Sequence, residues 1–290
     1  MTSARLALVA ADAARDRPGA ARPSGDAMDG HELSAGRPGG LRVAFAHGLE
    51  DVWASWKPVA RRLDPAWRLV ALDLPWRAGN DYRWRRQDSP AGWLRAGLDA
   101  VGGPVDVVVA HSFGANALLD LCCAGARPAQ AVVLVCPLYR PPAVPVTWRL
   151  LDRSRRNFEA HIHDGVRARL GGRAAALDPE VLTAMMAKAL DRVGPAGLLA
   201  VFEQFVASAD LPLTRVTPPA LVLAGGADPT LSAAAATALA GGIPGAVLRL
   251  NDHFDHFCHI RDPDAVAAQL SEFLRVAVPA APHQTEGGAR

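Results

Sequence analysis

Val107-Val-Val-Ala-His-Ser112-Phe-Gly-Ala-Asn116 is the stretch on which the reading of this chain turns. An apolar run of β-formers ends in a small residue, a serine and a glycine, and a helical pattern follows at once. A strand that turns directly into a helix bends so tightly at the serine that small residues are needed two places before and two places after it. Ala110 and Gly114 fill those places, so the Ser112 hydroxyl is expected to stand clear above a sheet. A helix starting near Phe113 aims its first N–H groups and positive end at that hydroxyl, where developing negative charge is stabilised. The Phe113 N–H is therefore the expected oxyanion donor. Taken alone, the stretch is also compatible with a serine that merely caps a helix.

Outward from this elbow, Leu41 to Ala46, Arg68 to Leu72, Val105 to Ala110, Ala131 to Cys136 and Ala220 to Ala224 are short apolar runs bounded by turn residues. Such runs suit parallel strands covered on both faces. Between them lie helical patterns: Trp53, Trp56, Ala60 and Leu63 share one face, as do Val266, Leu270, Phe273 and Leu274. Asp262 is placed to cap the last helix, and Pro263 sits in its first turn, where a missing N–H costs nothing. Strands alternating with helices predict an α/β fold with a doubly wound, mostly parallel sheet.

From Tyr139 to about Arg215 there are helical patterns but no convincing strand, with prolines at entry and exit, so residues 139–215 read as an inserted helical lid. Its basic clusters, Arg149, Arg153, Arg155, Arg156 and then His161, His163, Arg167, Arg169, fit either a face toward an anionic substrate or an ordinary solvated helix face. Residues 41–138 and 216–276 form the expected core. Residues 1–40, rich in Ala, Arg, Gly and Pro, read as a disordered leader in which Met28 is an alternative start, and residues 277–290 read as a disordered tail.

With 31 Lys plus Arg against 29 Asp plus Glu, the formal charge of +2 provides no field that recruits nucleic acid or an anionic membrane. Every apolar run is interrupted before the roughly 18 residues that span a bilayer. Leu6 to Ala11 mimics a secretory leader but is short and runs into Asp12, Arg15 and Asp16. Cys122, Cys123, Cys136 and Cys258 show neither metal-ligand spacing nor a disulfide framework, so reduced thiols and a cytoplasmic location are expected.

Three further segments supply candidate chemistry. In Ala44-Phe-Ala-His47-Gly48-Leu49-Glu50 the glycine permits close backbone approach, which makes the Leu49 N–H the preferred second oxyanion donor and the Glu50 N–H the next; a plain turn with a packed His47 is the alternative. In Leu221-Val-Leu-Ala-Gly-Gly-Ala-Asp228-Pro229 a strand opens into a glycine turn that presents a carboxylate, although Asp-Pro pairs also serve as simple turn residues. Asn251-Asp-His253-Phe-Asp-His256-Phe-Cys-His259 offers three histidines. A metal site there would lack a supporting Cys or carboxylate set, so no metal is expected.

His47-Gly48, Asp73-Leu-Pro75 and Ala110-His-Ser-Phe-Gly114, each after a strand, resemble the α/β-hydrolase superfamily from roughly Leu41 to Leu274. The resemblance implies the chain order serine, acid, histidine. Asp228 is then the acid. His256 is the base in preference to His253, because His256, Phe257, His259 and Pro263 are similar to the family pattern H-F-x-H-x-x-x-P. The chain departs from the family at Trp76-Arg77-Ala78-Gly79, where small residues are usual, and Ser112 stands where haloalkane dehalogenases and epoxide hydrolases carry aspartate.

A small-molecule acyl substrate is implied, a carboxylic ester or thioester cleaved through an acyl-enzyme on Ser112 without metal or organic cofactor. His47, Trp76, Tyr139 and Trp148 are the expected pocket residues. A lyase or cyclase using the same residues for proton transfer, and a non-catalytic ligand-binding member, are the alternatives.

Overall fold

The computed structural model describes residues 29–278. Seven strands, β1 (Asp29–Ser34), β2 (Arg42–Ala46), β3 (Arg68–Asp73), β4 (Val107–His111), β5 (Ala131–Val135), β6 (Ala220–Gly225) and β7 (Val247–Asn251), form one sheet in the order β1-β3-β2-β4-β5-β6-β7. Every neighbouring pair is parallel except β1 with β3. Strands β4, β5 and β6 are buried throughout, which is why they read as unbroken apolar runs.

The helices are α1 (Lys57–Ala60), α2 (Pro90–Ala100), α3 (Phe113–Cys123), α4 (Trp148–Leu170), α5 (Arg173–Ala176), α6 (Pro179–Ala207), α7 (Ala233–Gly242), α8 (Cys258–Arg261) and α9 (Pro263–Ala277). One face of the sheet packs a core with α2, α3 and α7, built around residues such as Trp93, Leu118 and Leu239. The other packs α1, the turn before it and α9 through Val59, Trp56, Val266 and Leu270.

The helices α4, α5 and α6 lie between β5 and β6, within the expected insertion. Thr147 and Asp178 cap α4 and α6 by accepting from Leu150 N–H and Glu180 N–H. Gly194, with φ 55° and ψ −164°, kinks α6 just before Pro195. Three of the six arginines of α4 lie in ion pairs along its solvated side: Arg155 with Asp152 and Glu159, Arg156 with Asp152, and Arg167 with Asp164. No helix of the described residues is long and apolar enough to cross a membrane.

Several expectations need correction. Residues 29–34 are not leader: they form β1, an antiparallel edge strand whose polar sequence carries no strand period because none of its residues is buried. The rest of the expected leader, Met28 included, and residues 279–290 lie outside the described residues. Ala277 closes α9 and Val278 is buried, so the expected tail begins too early. The edge strand β7 escaped the sequence because Arg249 and Leu250 are exposed. Asp262 occupies the N-cap position of α9 but its side chain makes no capping hydrogen bond.

Candidate active site

Ser112 sits between β4 and α3 with φ 51° and ψ −120°, a positive-φ conformation costly for a non-glycine residue and typical of a strained functional turn. Its N–H donates to the Val135 carbonyl at 2.9 Å and its carbonyl accepts from Asn116 N–H at 3.0 Å, so neighbouring elements hold the turn. The Asn116 side chain then pins the end of β5, accepting from Leu138 N–H at 2.7 Å and donating to the Leu138 carbonyl at 2.8 Å. Gly48 supplies the close approach on the other side: a methyl group there would lie 3.2 Å from Ser112 Cβ.

The Ser112 Oγ is 2.8 Å from His256 Nε2, and His256 Nδ1 is 2.8 Å from Asp228 Oδ2. A carboxylate only accepts, so Nδ1 carries the proton and the Nε2 lone pair faces the serine. All three side chains are buried. Gly225 and Gly226 explain how the acid reaches the histidine loop. A methyl group on Gly225 would lie 1.9 Å from the Phe254 carbonyl oxygen, and Gly226 N–H and Ala227 N–H donate to the Asn251 and Phe254 carbonyls at 2.9 and 3.0 Å.

Thr230 completes the acid's surroundings, donating to Asp228 Oδ1 from its hydroxyl at 2.5 Å and from its backbone at 2.9 Å. Burial alone would raise the Asp228 carboxyl pKa. Attraction and hydrogen bonding from His256, with lesser help from His161 and Thr230, outweigh that burial and hold the pKa well below the usual range. His253 is exposed and does not join the serine and acid. Thr230 lay outside sequence reasoning, its only signal being its place two residues after the aspartate.

Two backbone groups border the serine. The Glu50 N–H donates to the Trp76 carbonyl at 3.0 Å, which removes it as an oxyanion donor and leaves Leu49, whose residue lines the cavity beside Ser112. The Phe113 N–H opens α3 immediately after the serine.

Of the expected pocket residues, Tyr139 lines the cavity and the other three do not. His47 is fully buried beneath the loop, accepting from Leu74 N–H at Nε2 (3.1 Å), which leaves Nδ1–H to donate to the Gly48 carbonyl at 2.8 Å. Burial lowers its pKa and keeps the ring neutral as a strut. Trp76 is also fully buried, donating to the His47 carbonyl at 3.0 Å and stacking edge-on against Phe113 with centroids 5.3 Å apart, so it supports the elbow from behind. Trp148 opens α4 at 86% exposure, pointing away from the site.

The cavity itself has a volume of about 500 Å³ and is mostly apolar, walled by Leu138, Tyr139, Ile162, Val201, Phe202 and Phe205, with Ser112 and His256 at its floor. Sites of this size hold small organic ligands. Arg153 and His161 are the residues of the basic clusters of α4 that border it.

Behind the serine lies a second buried group. Asp51, His111 and His259 bring ligand-type atoms within 4.8 Å of one another, so the expectation that no carboxylate accompanies the histidines is corrected: Asp51, distant in sequence, supplies one. Ser55 donates to Asp51 Oδ2 at 2.9 Å, and the Arg169 guanidinium lies 3.6 Å from Oδ1. Burial pushes the Asp51 carboxyl up, but hydrogen bonding and attraction from His259 override it and hold the pKa below the usual range. The Arg169 guanidinium thus already lies beside the charge a metal would neutralise. His111 donates from Nε2 to the His256 carbonyl at 2.7 Å, bracing the histidine loop.

The profile of the Alpha/beta hydrolase family matches residues 43–269, and the chain belongs to that family. Among solved structures it is similar to a bacterial membrane phospholipase A, at 16% identity with a TM-score of 0.67 over 87% of each chain. It also resembles the enol-lactonase from Burkholderia xenovorans LB400, at 21% identity and TM-score 0.59 over 85% of this chain and 96% of that one. An esterase from Thermogutta terrifontis is similar at 19% identity and TM-score 0.57, over 86% and 93%. At these identities the likeness is one of fold. No curated protein matches the sequence.

Proposed function

We propose that the protein hydrolyses a carboxylic ester or thioester of a small molecule whose acyl part is apolar. One observation carries this reading: the unbroken relay from Ser112 Oγ through His256 to Asp228, 2.8 Å at each step, at the floor of an apolar cavity. A serine hydroxyl is a poor nucleophile near neutral pH until an adjacent imidazole takes its proton during attack. His256 Nε2 takes it, while Asp228 holds the ring by its Nδ1–H and stabilises the imidazolium.

The carbonyl carbon becomes tetrahedral, and its oxyanion lies against the N–H groups of Leu49 and Phe113. Collapse of the intermediate expels the alcohol or thiol, which receives the proton from His256 and leaves an acyl-Ser112 ester. Water, deprotonated by His256, attacks that ester and releases the acid. Each step is served by residues of the chain itself. Four free, buried cysteines support work in a reducing compartment such as the cytoplasm.

Intact-mass labelling with a fluorophosphonate tests the reading, comparing wild type with Ser112→Ala, His256→Ala and, as rival base, His253→Ala. A single adduct that needs Ser112 and His256 but not His253 is expected. A folded wild type that takes no adduct overturns the reading.

A further inference from the structure

Three residues of α4 that touch the surroundings of Ser112 and His256 fall at a spacing of four: His161, Gly165 and Arg169. This is one stripe of a helix. Arg169 donates to the Glu50 carbonyl at 3.0 Å, beside the Leu49 donor. Gly165 lets the helix press on the residue after the base, since a methyl group there would lie 3.0 Å from Phe257 Cζ. His161 reaches furthest in. Its ring lies 4.2 Å from that of His256, tilted by 44°, and its Nε2 is 3.7 Å from Asp228 Oδ1. That Nε2 is buried without a hydrogen-bond partner among the described residues, and the residue borders the cavity.

We infer that His161 is a positioning residue for the His256–Asp228 pair, delivered by the helical insertion. The inference rests on the serine-hydrolase reading above. The His256 ring is held between two others, His111 with centroids 4.9 Å away and His161 at 4.2 Å. A ring so flanked keeps the orientation that directs one nitrogen to Ser112 and the other to Asp228. His161 also covers the Asp228 carboxylate against water, and in doing so sets the dielectric in which the imidazolium forms.

For this purpose the covering ring must be uncharged, or it would oppose the imidazolium. Burial and repulsion from His256, only partly offset by Asp228, push the His161 pKa down to about 3. The other titratable groups around the pair are Cys136 just after β5, His111 at the end of β4, His259 on α8 and Asp51, with Arg153 and Arg169 on α4 itself.

The test uses fluorophosphonate labelling of Ser112 again, now as a second-order rate measured from pH 5 to 9, because this needs no knowledge of the substrate. His161→Ala admits water to the pair. The rate at pH 8 is expected to fall about tenfold. The midpoint of the acid limb is expected to move up by about half a unit, since a better-solvated imidazolium is easier to form. His161→Phe keeps a neutral ring of similar footprint and is expected to restore both toward wild type. It also serves if the alanine variant fails to fold.

A wild type that labels at Ser112, with the folded variants matching its rate and midpoint, overturns the role of His161 and leaves the hydrolase reading intact. A wild type that does not label overturns that reading, and this inference with it.

Discussion

A methyl group built on Gly114 would lie 2.5 Å from the carbonyl oxygen of His47. The first turn of α3 and the loop after β2 are thus in backbone contact, and that contact sets the distance between the serine and the loop that carries Leu49. Gly114→Ala must separate them. Overpacking of this kind costs about 1 to 3 kcal/mol in stability. Displacing one oxyanion donor slows acyl transfer on the order of 100- to 1000-fold. Denaturant melts and fluorophosphonate labelling rates measure the two effects separately; a variant that labels as fast as wild type would show that this contact does not set the donor position.

Asp228 is held from two sides, by His256 and by Thr230. Asp228→Asn keeps the shape but can donate to His256 Nδ1, favouring the tautomer with no lone pair toward Ser112. Labelling should slow by roughly 10⁴-fold, as expected for loss of the tautomer-holding acid. Thr230→Val leaves Asp228 Oδ1 with the backbone N–H of residue 230 as its remaining donor, at 2.9 Å, and a drop of about tenfold is expected for the loss of one hydrogen bond to the carboxylate. Equal losses in the two variants would contradict this division of roles.

Asp51 and Asp228 are both buried with pKa values held below the ordinary carboxylate range. Between the unfolded value of about 4 and the lower folded values, the unfolded chain binds protons that the native protein does not. The stability from both groups is therefore complete above about pH 4 and is lost as pH falls below it. Asp51→Asn should lower stability at pH 7 and flatten the decline from pH 5 to 3, as read by urea unfolding at each pH. Parallel declines in the two proteins would show that Asp51 carries no part of it.

How far the sequence reached depends on where each partner lies along the chain. The parallel core was legible because β4, β5 and β6 are covered on both faces and therefore apolar throughout, whereas β1 and β7 are edges with no buried residue. Ser112 and Asp228 were each marked by a turn of small residues, whereas His256 was separated from His253 and His259 only by its likeness to the family pattern. Asp51 meeting His259, and His161 meeting His256, are encounters between residues far apart in sequence, and neither site carries a local motif. His161 was visible only as one member of a basic helix.

The tryptophans show the same limit and give a direct test. Composition alone cannot separate Trp76, fully buried behind Phe113, from Trp148, which is 86% exposed. Trp76→Ala removes a large core side chain and is expected to cost about 3 to 5 kcal/mol, with labelling slowed through the displaced elbow. Trp148→Ala should change stability by less than about 0.5 kcal/mol, as exposed substitutions usually do. Comparable destabilisation in both would contradict the placement of these two rings.

Glu50 and Arg192 join the oxyanion loop to α6, but the two ends of that link are unequal. The Glu50 carboxylate is buried and accepts from the Tyr82 hydroxyl and Asn80 amide at 2.9 Å each, from Gly79 N–H at 3.3 Å and from Arg192 at 2.7 Å. Arg192 has a side chain 40% exposed. Arg192→Ala removes one partly screened ion pair and should cost less than about 1 kcal/mol. Glu50→Ala strands the buried Tyr82 hydroxyl, at about 1 to 3 kcal/mol, and takes an acceptor from Gly79 N–H and from the Asn80 amide, which still donates to the Arg77 carbonyl. It also frees the backbone beside Leu49, so its labelling rate should fall well below that of Arg192→Ala. If the arginine variant instead proved the more damaging in both stability and labelling, the link would owe its strength to the insertion rather than to the loop.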